Sequence, residues 1–131
     1  MRWLVVLGMC LAACSSQTDL LCTGATCTCP SDSSCTLDPE VCGPTGCTFT
    51  CGAGSTCTGR CGDLCNVSCE RDSSCGISVA RGGMVACAAH TDCDVICAQD
   101  CVATCVAGSH CTIRCATDVA QRVFTDTASC L

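Results

Sequence analysis

The spacing of cysteine constrains this chain more than any other feature. Cut at Cys47, Cys65, Gly83 and Cys101, the sequence falls into four segments of 18 residues: CTFTCGAGSTCTGRCGDL, CNVSCERDSSCGISVARG, GMVACAAHTDCDVICAQD and CVATCVAGSHCTIRCATD. Cysteine stands at positions 1, 5, 11 and 15 of each, with Val79 and Gly83 the two exceptions. A degenerate copy precedes them, with Cys29 and Cys35 at positions 5 and 11. A four-residue insertion around residues 37–41 then delays the next cysteine to Cys42. A fixed period of this size marks stacked units, none of which can bury its apolar face alone.

Each repeat contains two units of the form Cys-x-Φ-x-Cys, where Φ is mostly apolar, as in Cys47-Phe49-Cys51, Cys93-Val95-Cys97 and Cys111-Ile113-Cys115. Alternation at period two puts both cysteines and the central residue on one face of a strand. The residues between them are mostly Thr, Ser, Val, Asn or Arg, which suit the outer face. Loops of five and three residues alternate between the strands. The longer kind holds Gly54-Ser55, Asp72-Ser73 and Gly108-Ser109, and the shorter Gly62-Asp63-Leu64 and Ala98-Gln99-Asp100. These are turn formers, through positive φ or side-chain caps on the backbone. The pattern predicts an all-β, disulfide-rich chain folded as a narrow β-solenoid of 18-residue coils. The alternative is an antiparallel β-meander of the same short strands, which leaves one side of its sheet uncovered. Cysteines at i and i+4 also share a helix face, as in the paired helices of the small mitochondrial import chaperones, but the glycine, threonine and serine content opposes helix here.

Geometry limits which cysteines can pair. A disulfide needs Cα atoms about 4.4–6.8 Å apart, whereas the two cysteines of one extended unit are about 13 Å apart. Pairs must therefore cross turns or cross strands. Val79 and Gly83 occupy positions 15 and 1, flanking one three-residue loop, so a rule that pairs these positions across the loop leaves no orphan thiol. That rule gives Cys42–Cys47, Cys61–Cys65 and Cys97–Cys101. Pairing across the five-residue loops gives Cys29–Cys35, Cys51–Cys57, Cys69–Cys75, Cys87–Cys93 and Cys105–Cys111. Sequence order then leaves Cys22–Cys27 and Cys115–Cys130. The rival arrangement joins equivalent positions of successive coils, where a strand spacing of about 4.8 Å also fits.

Composition narrows the function classes. The chain has 131 residues, 22 of them cysteine, with two phenylalanines, no tyrosine and no lysine. So poor a core needs covalent staples. Six arginines face 12 acidic residues, for a net charge of -6. This opposes nucleic-acid binding, which needs basic grooves and stacking rings. No catalytic residues are expected: His90 and His110, the only histidines, fall in predicted turns, and no nucleophile elbow or Cys-x-x-Cys motif is present. No cofactor or metal is expected. The alternative is a thiolate metal-binding protein, since free thiols hold soft metals. Metallothionein-like chains, however, are rich in Cys-x-Cys, which occurs here only as Cys27-Thr28-Cys29.

The beginning of the chain carries an address. Met1-Arg2 is basic, residues 3–11 are apolar, and Ala12, Ala13 and Cys14 follow. These are the parts of a secretory signal, and the apolar run is too short for a membrane span of about 20 residues. Leu11-Ala12-Ala13-Cys14 resembles the lipobox of bacterial lipoproteins. The resemblance covers the first fourteen residues. It implies cleavage before Cys14, lipidation of Cys14 (a diacylated thiol and an acylated amine, palmitate among the usual chains), and a membrane partner reached through the anchor. Ser15 after the anchor resembles lipoproteins sorted to the outer membrane. The expected organisation is a signal peptide over 1–13, anchor and tether over 14–21, the cysteine-rich repeat domain over 22–118 and a C-terminal cap over 119–131 built around Phe124. Cys10 leaves with the signal and Cys14 is lipidated, so twenty cysteines remain to pair in an oxidising compartment.

The reading is thus a membrane-anchored envelope lipoprotein, a structural or binding module of unknown ligand, with no particular protein partner indicated. Two specialised solenoids fit poorly. Calcium-binding rolls need Gly-Gly-x-Gly-x-Asp repeats, which are missing. Cysteine-stapled antifreeze solenoids carry unbroken ranks of threonine. Here Thr48 and Thr50 are followed by Asn66 and Ser68, Met84 and Ala86, then Val102 and Thr104.

Overall fold

The computed structural model describes residues 20–116 and 121–130. The chain winds as a β-solenoid of about five turns, and each coil gives one strand to each of two sheets. The first sheet holds β1 (Leu21–Thr23), β2 (Thr26–Cys29), β4 (Thr48–Cys51), β6 (Asn66–Cys69), β8 (Met84–Cys87), β10 (Cys101–Cys105) and β13 (Asp126–Cys130), in that spatial order. The second runs from β3 (Ser34–Leu37) through β5 (Thr56–Cys61), β7 (Ser74–Arg81), β9 (Asp92–Gln99) and β11 (His110–Cys115) to β12 (Arg122–Phe124). Neighbours from successive coils are parallel. A meander would make them antiparallel, so the alternative topology is excluded.

Register follows the repeat. Phe49, Val67, Val85 and Ala103 form one buried row of the first sheet, and Cys51, Cys69, Cys87 and Cys105 form the next. On the second sheet Ile77, Val95 and Ile113 make a row between cysteine rows. Every described cysteine except Cys22 is buried. The interior is a stack of sulfur pairs with single aliphatic or aromatic side chains between them. Outward positions alternate with these along each strand, as the period of two requires.

Turn chemistry repeats with the same period. Asp32, Gly54, Asp72, His90 and Gly108 stand at the same place in the longer loop, all with φ between 56° and 91°. Gly46, Leu64, Gly82 and Asp100 do so in the shorter one, with φ between 54° and 76°. Loop backbones also bond from coil to coil, as from Gly54 N–H to Arg71 O (3.1 Å) and from Leu64 N–H to Arg81 O (2.7 Å). The residue after the longer loop's left-handed position points inward. Ser55, Ser73 and Thr91 are buried there and donate to main-chain oxygens, Ser73 to Glu70 O at 2.6 Å and Thr91 to Ala88 O at 2.9 Å. The Gly-Ser and Asp-Ser pairs are therefore structural: one residue sets the turn and the next satisfies it.

The four-residue insertion forms one helical turn, α1 (Pro39–Cys42). Asp38 caps it by accepting the Glu40 N–H at 2.9 Å, and Pro39 fills the first turn, where no donor is needed. Leu37, grouped with the insertion from sequence, is the last residue of β3 and is buried against Gly59. His110, expected in a turn, is the first residue of β11. Leu21, placed in the tether, is the first residue of β1.

Both ends of the stack reverse direction. β1 folds back antiparallel on β2, while β12 and β13 lie antiparallel on β11 and β10. The C-terminal segment thus covers the last edge of each sheet with one short strand, which removes a template for end-to-end growth. Phe124 of β12 and Ala128 of β13 pack on the core.

Candidate functional site

The chemistry-bearing residues of this chain are its sulfurs, and the fold arranges them as two ladders. Strand ends bring position 5 of the first sheet to position 11 of the second at one edge of the solenoid. There Cys29–Cys35, Cys51–Cys57, Cys69–Cys75, Cys87–Cys93 and Cys105–Cys111 are joined, with Cα separations of 5.9, 6.1, 6.5, 6.6 and 6.3 Å. The opposite edge carries Cys42–Cys47, Cys61–Cys65, Cys97–Cys101 and Cys115–Cys130, at 5.5, 6.0, 6.0 and 5.5 Å. Cys22–Cys27 ties β1 to β2 across a register pair. These are the ten pairs that neighbour-to-neighbour pairing gives: the first ladder joins the two strands of one repeat, the three-residue loops join the end of one repeat to the start of the next, and no rung links equivalent positions of successive coils.

Two rungs depart from the simple rule. Cys130 lies opposite Cys101 in the β13–β10 register, so it sits where position 1 of a further coil would be. The cap thereby supplies the last rung of the second ladder, although it reaches that place by reversing direction. Between Cys61–Cys65 and Cys97–Cys101 the rung is missing. Val79, in register with both Cys61 and Cys97, fills that space.

Stacking also brings sulfurs of different rungs together. The Sγ atoms of Cys47, Cys61 and Cys65 lie within 4.8 Å of one another, as do those of Cys69, Cys75 and Cys93 and those of Cys87, Cys93 and Cys111. All are buried. Each triad combines one disulfide with a sulfur of the next rung. While the bridges hold, no thiolate is available to a metal ion; reduction would supply three sulfurs per triad, a donor set suited to soft ions.

The remaining polar groups are positioned at the surface. His90 has φ 58° in an exposed turn. His110 Nδ1 is 3.6 Å from an Asp92 carboxylate oxygen, and both side chains are largely exposed. Thr112 donates to Asp94 at 2.9 Å, and the Gln121 amide donates to both Asp94 (2.9 Å) and Thr112 (2.7 Å), which fastens the start of the cap to β9 and β11. The Arg122 guanidinium donates to Cys115 Sγ of β11 at 3.1 Å, which continues the same fastening, and to Ser129 O within the cap at 3.3 Å. Among the described residues, every buried side-chain nitrogen or oxygen has a hydrogen-bond partner. No helix among them is long and apolar enough to cross a membrane. Cys14, the expected lipidation site, lies outside the described residues, as does Cys10.

No known protein family, no curated protein and no solved structure matches the chain.

Proposed function

We propose that this chain is a bacterial lipoprotein: a rigid, non-catalytic module held at the cell envelope, on the outer membrane, by acyl chains on Cys14. One observation supports the reading best. All twenty cysteines from Cys22 to Cys130 are paired among themselves. Cys10 and Cys14 alone are left over: Cys10 falls in the signal expected to be removed, and Cys14 is the cysteine of the lipobox. A ladder of local disulfides suits an exported chain in an oxidising compartment. Three acyl chains on Cys14 give stable attachment to a bilayer. The module's role is then mechanical or recognitional, carried by the outer faces of a scaffold that needs no ligand to fold.

Mass spectrometry of the intact protein from membranes tests this reading. The expected mass starts at Cys14, carries three acyl groups and lacks two hydrogens for each bridge. Cys14→Ser should move the protein to the soluble fraction. An unacylated chain that begins elsewhere would overturn it.

The sulfur triads favour a second reading, in which the chain works reduced and holds soft metal through thiolates. Metal analysis and a free-thiol count on the protein as isolated separate the two. Bound copper or zinc with free thiols selects the second reading, and no titratable thiol selects the first.

A further inference from the structure

The outer face of the second sheet carries a groove of about 580 Å³ beside α1. Its shape follows from the repeat. Ser78, Ile96 and Arg114 stand in register on β7, β9 and β11, with Arg60 next in the same outward row on β5. Two residues further along each coil the side chains shrink to Ala80, Ala98 and Ala116, and the face drops away. At one end α1 stands above the sheet and blocks the trough. Among the described residues no other coil carries the insertion that makes this turn of helix, so no other coil is bounded in this way.

Its chemistry is divided along its length. All of its charges lie at the α1 end: the guanidinium of Arg60 and the carboxylates of Asp38 and Glu40. Asp38 already caps the Glu40 N–H. Arg60 and Glu40 are exposed and make no ion pair among the described residues. The rest of the lining is small or apolar, and its centre is Ile96, 43% exposed at an outward strand position. An isoleucine left in water between a serine and an arginine leaves apolar area to be covered. A concave site in the range of about 300–1,000 Å³, mostly apolar with a few convergent polar groups, is the form that small-molecule sites take.

We propose that this groove binds a single-chain amphiphile with a zwitterionic head. Arg60 receives the anionic part of the head, Glu40 the ammonium, and the chain lies over Ala80, Ile96 and Ala98. A purely anionic amphiphile brings its head against two carboxylates. A purely cationic one meets Arg60. Only a head of both signs is matched at both groups. The site does not depend on the lipid anchor, but it needs the oxidised coils, since Cys61 and Cys97 of two rungs line it.

Titration of the oxidised full mature chain carrying Cys14→Ser, so that no acyl group of its own competes, tests the proposal. The probe is dodecylphosphocholine below its micelle concentration, followed by amide chemical shifts. Saturable binding is expected, with the largest shifts at Ala80, Ile96 and Ala98. Ile96→Asp should weaken it about tenfold or more, by placing a charge under the chain. Arg60→Gln should abolish the preference for dodecylphosphocholine over dodecyltrimethylammonium. Glu40→Gln should abolish the preference over dodecyl sulfate. All three side chains are exposed, so the fold survives their replacement, and an unchanged set of ten bridges verifies this. The proposal fails if binding does not saturate, if the shifts centre on the opposite sheet around Met84 and Val102, or if Ile96→Asp binds as the parent does. Equal affinity of the parent for the three head groups would also overturn it. Vesicles of zwitterionic lipid form a second arm: binding to vesicles without binding to the monomer would mean surface adsorption and not a groove.

Discussion

The Cγ1 methyl of Val79 occupies the place that a Cβ on residue 83 would take. Residue 83 is glycine, and the two positions are those at which every neighbouring coil carries a disulfide. The sequence loses both cysteines together, and the structure gives the steric half of the reason. A valine reaches into the space of the absent bridge, and it fits only against a residue with no side chain. Gly83→Ala should therefore cost about 1–3 kcal/mol through overpacking. Val79→Cys with Gly83→Cys should instead close an eleventh bridge, because this coil offers the same frame as Cys61–Cys65 and Cys97–Cys101. A thiol titration and the midpoint of denaturation read both outcomes. Two free thiols in the double variant would show that the coil differs from its neighbours.

The disulfide ladders take the place of a large apolar core, and their removal should be graded by loop length. In the chain-entropy account, a bridge across about six residues is worth about 2 kcal/mol and one across about fifteen about 3 kcal/mol. Cys51→Ala with Cys57→Ala opens a separation of 6, and Cys115→Ala with Cys130→Ala opens one of 15. The second pair also frees the C-terminal segment whose two strands cover the sheet edges. It should lower the denaturation midpoint more than the first, and its amide exchange should rise first in β12 and β13. Equal losses would remove the entropic account. With all bridges reduced, ordering the backbone at about 1–2 kcal/mol per residue outweighs the few aliphatic contacts. The far-ultraviolet circular dichroism should then become that of an unfolded chain.

The solenoid was legible in the sequence because one physical rule writes the same four positions into every coil. Period two within the strands fixed which residues face inward, and the paired loss at Val79 and Gly83 pointed to rungs across the loops and not between equivalent positions of successive coils. Less legible was whatever happens once. The turn of helix at Pro39–Cys42 has no second copy to reveal it, although Asp38-Pro39 is a recognisable start. Gly108-Ser109 predicts a turn that includes His110, yet β11 begins one residue earlier than the cysteine that marks it. The groove was invisible for a related reason. Ala80, Ala98 and Ala116 are two residues past the outward row, and nothing in their spacing signals that an insertion two or more coils earlier lines the same groove. The placement of Cys130 beside Cys101 depends on a strand reversal, which spacing does not encode.

Gly59 tests the close approach of neighbouring coils. It lies in register with Leu37 and Ile77, in the row that holds Val95 and Ile113 further up, but it has no side chain and a φ of 128°. A Cβ there would run into the Leu37 backbone, whose amide nitrogen would be 2.7 Å away. Two costs then add, the conformational one of a side chain at this φ and the steric one of pushing β3 off the stack. Gly59→Ala should destabilise the chain by more than about 2 kcal/mol. The damage should concentrate at the N-terminal coil, seen as faster amide exchange in β3 and α1 than in β9 and β11. A variant as stable as the parent would mean that the first coil stands further from the second.

Ser55 tests the inward turn hydroxyls. Its Oγ donates to Pro30 O and accepts the Ser33 N–H at 3.1 Å, so one side chain satisfies two main-chain groups of the coil below. The residue is 1% exposed, which keeps water from substituting for the hydroxyl. Ser55→Ala removes both bonds and strands a buried donor and a buried acceptor, at about 1–3 kcal/mol for groups left unpaired. Ser109 makes the matching contacts with Ala88 O (2.7 Å) and the Thr91 N–H (3.2 Å) but is half-buried. Ser109→Ala should therefore cost less, since water can reach the freed groups. Chemical denaturation of the two variants, with the oxidised thiol count held at the parent's value, measures the difference. A larger loss at Ser109 than at Ser55 would show that these hydroxyls act through the local turn and not through the coil beneath.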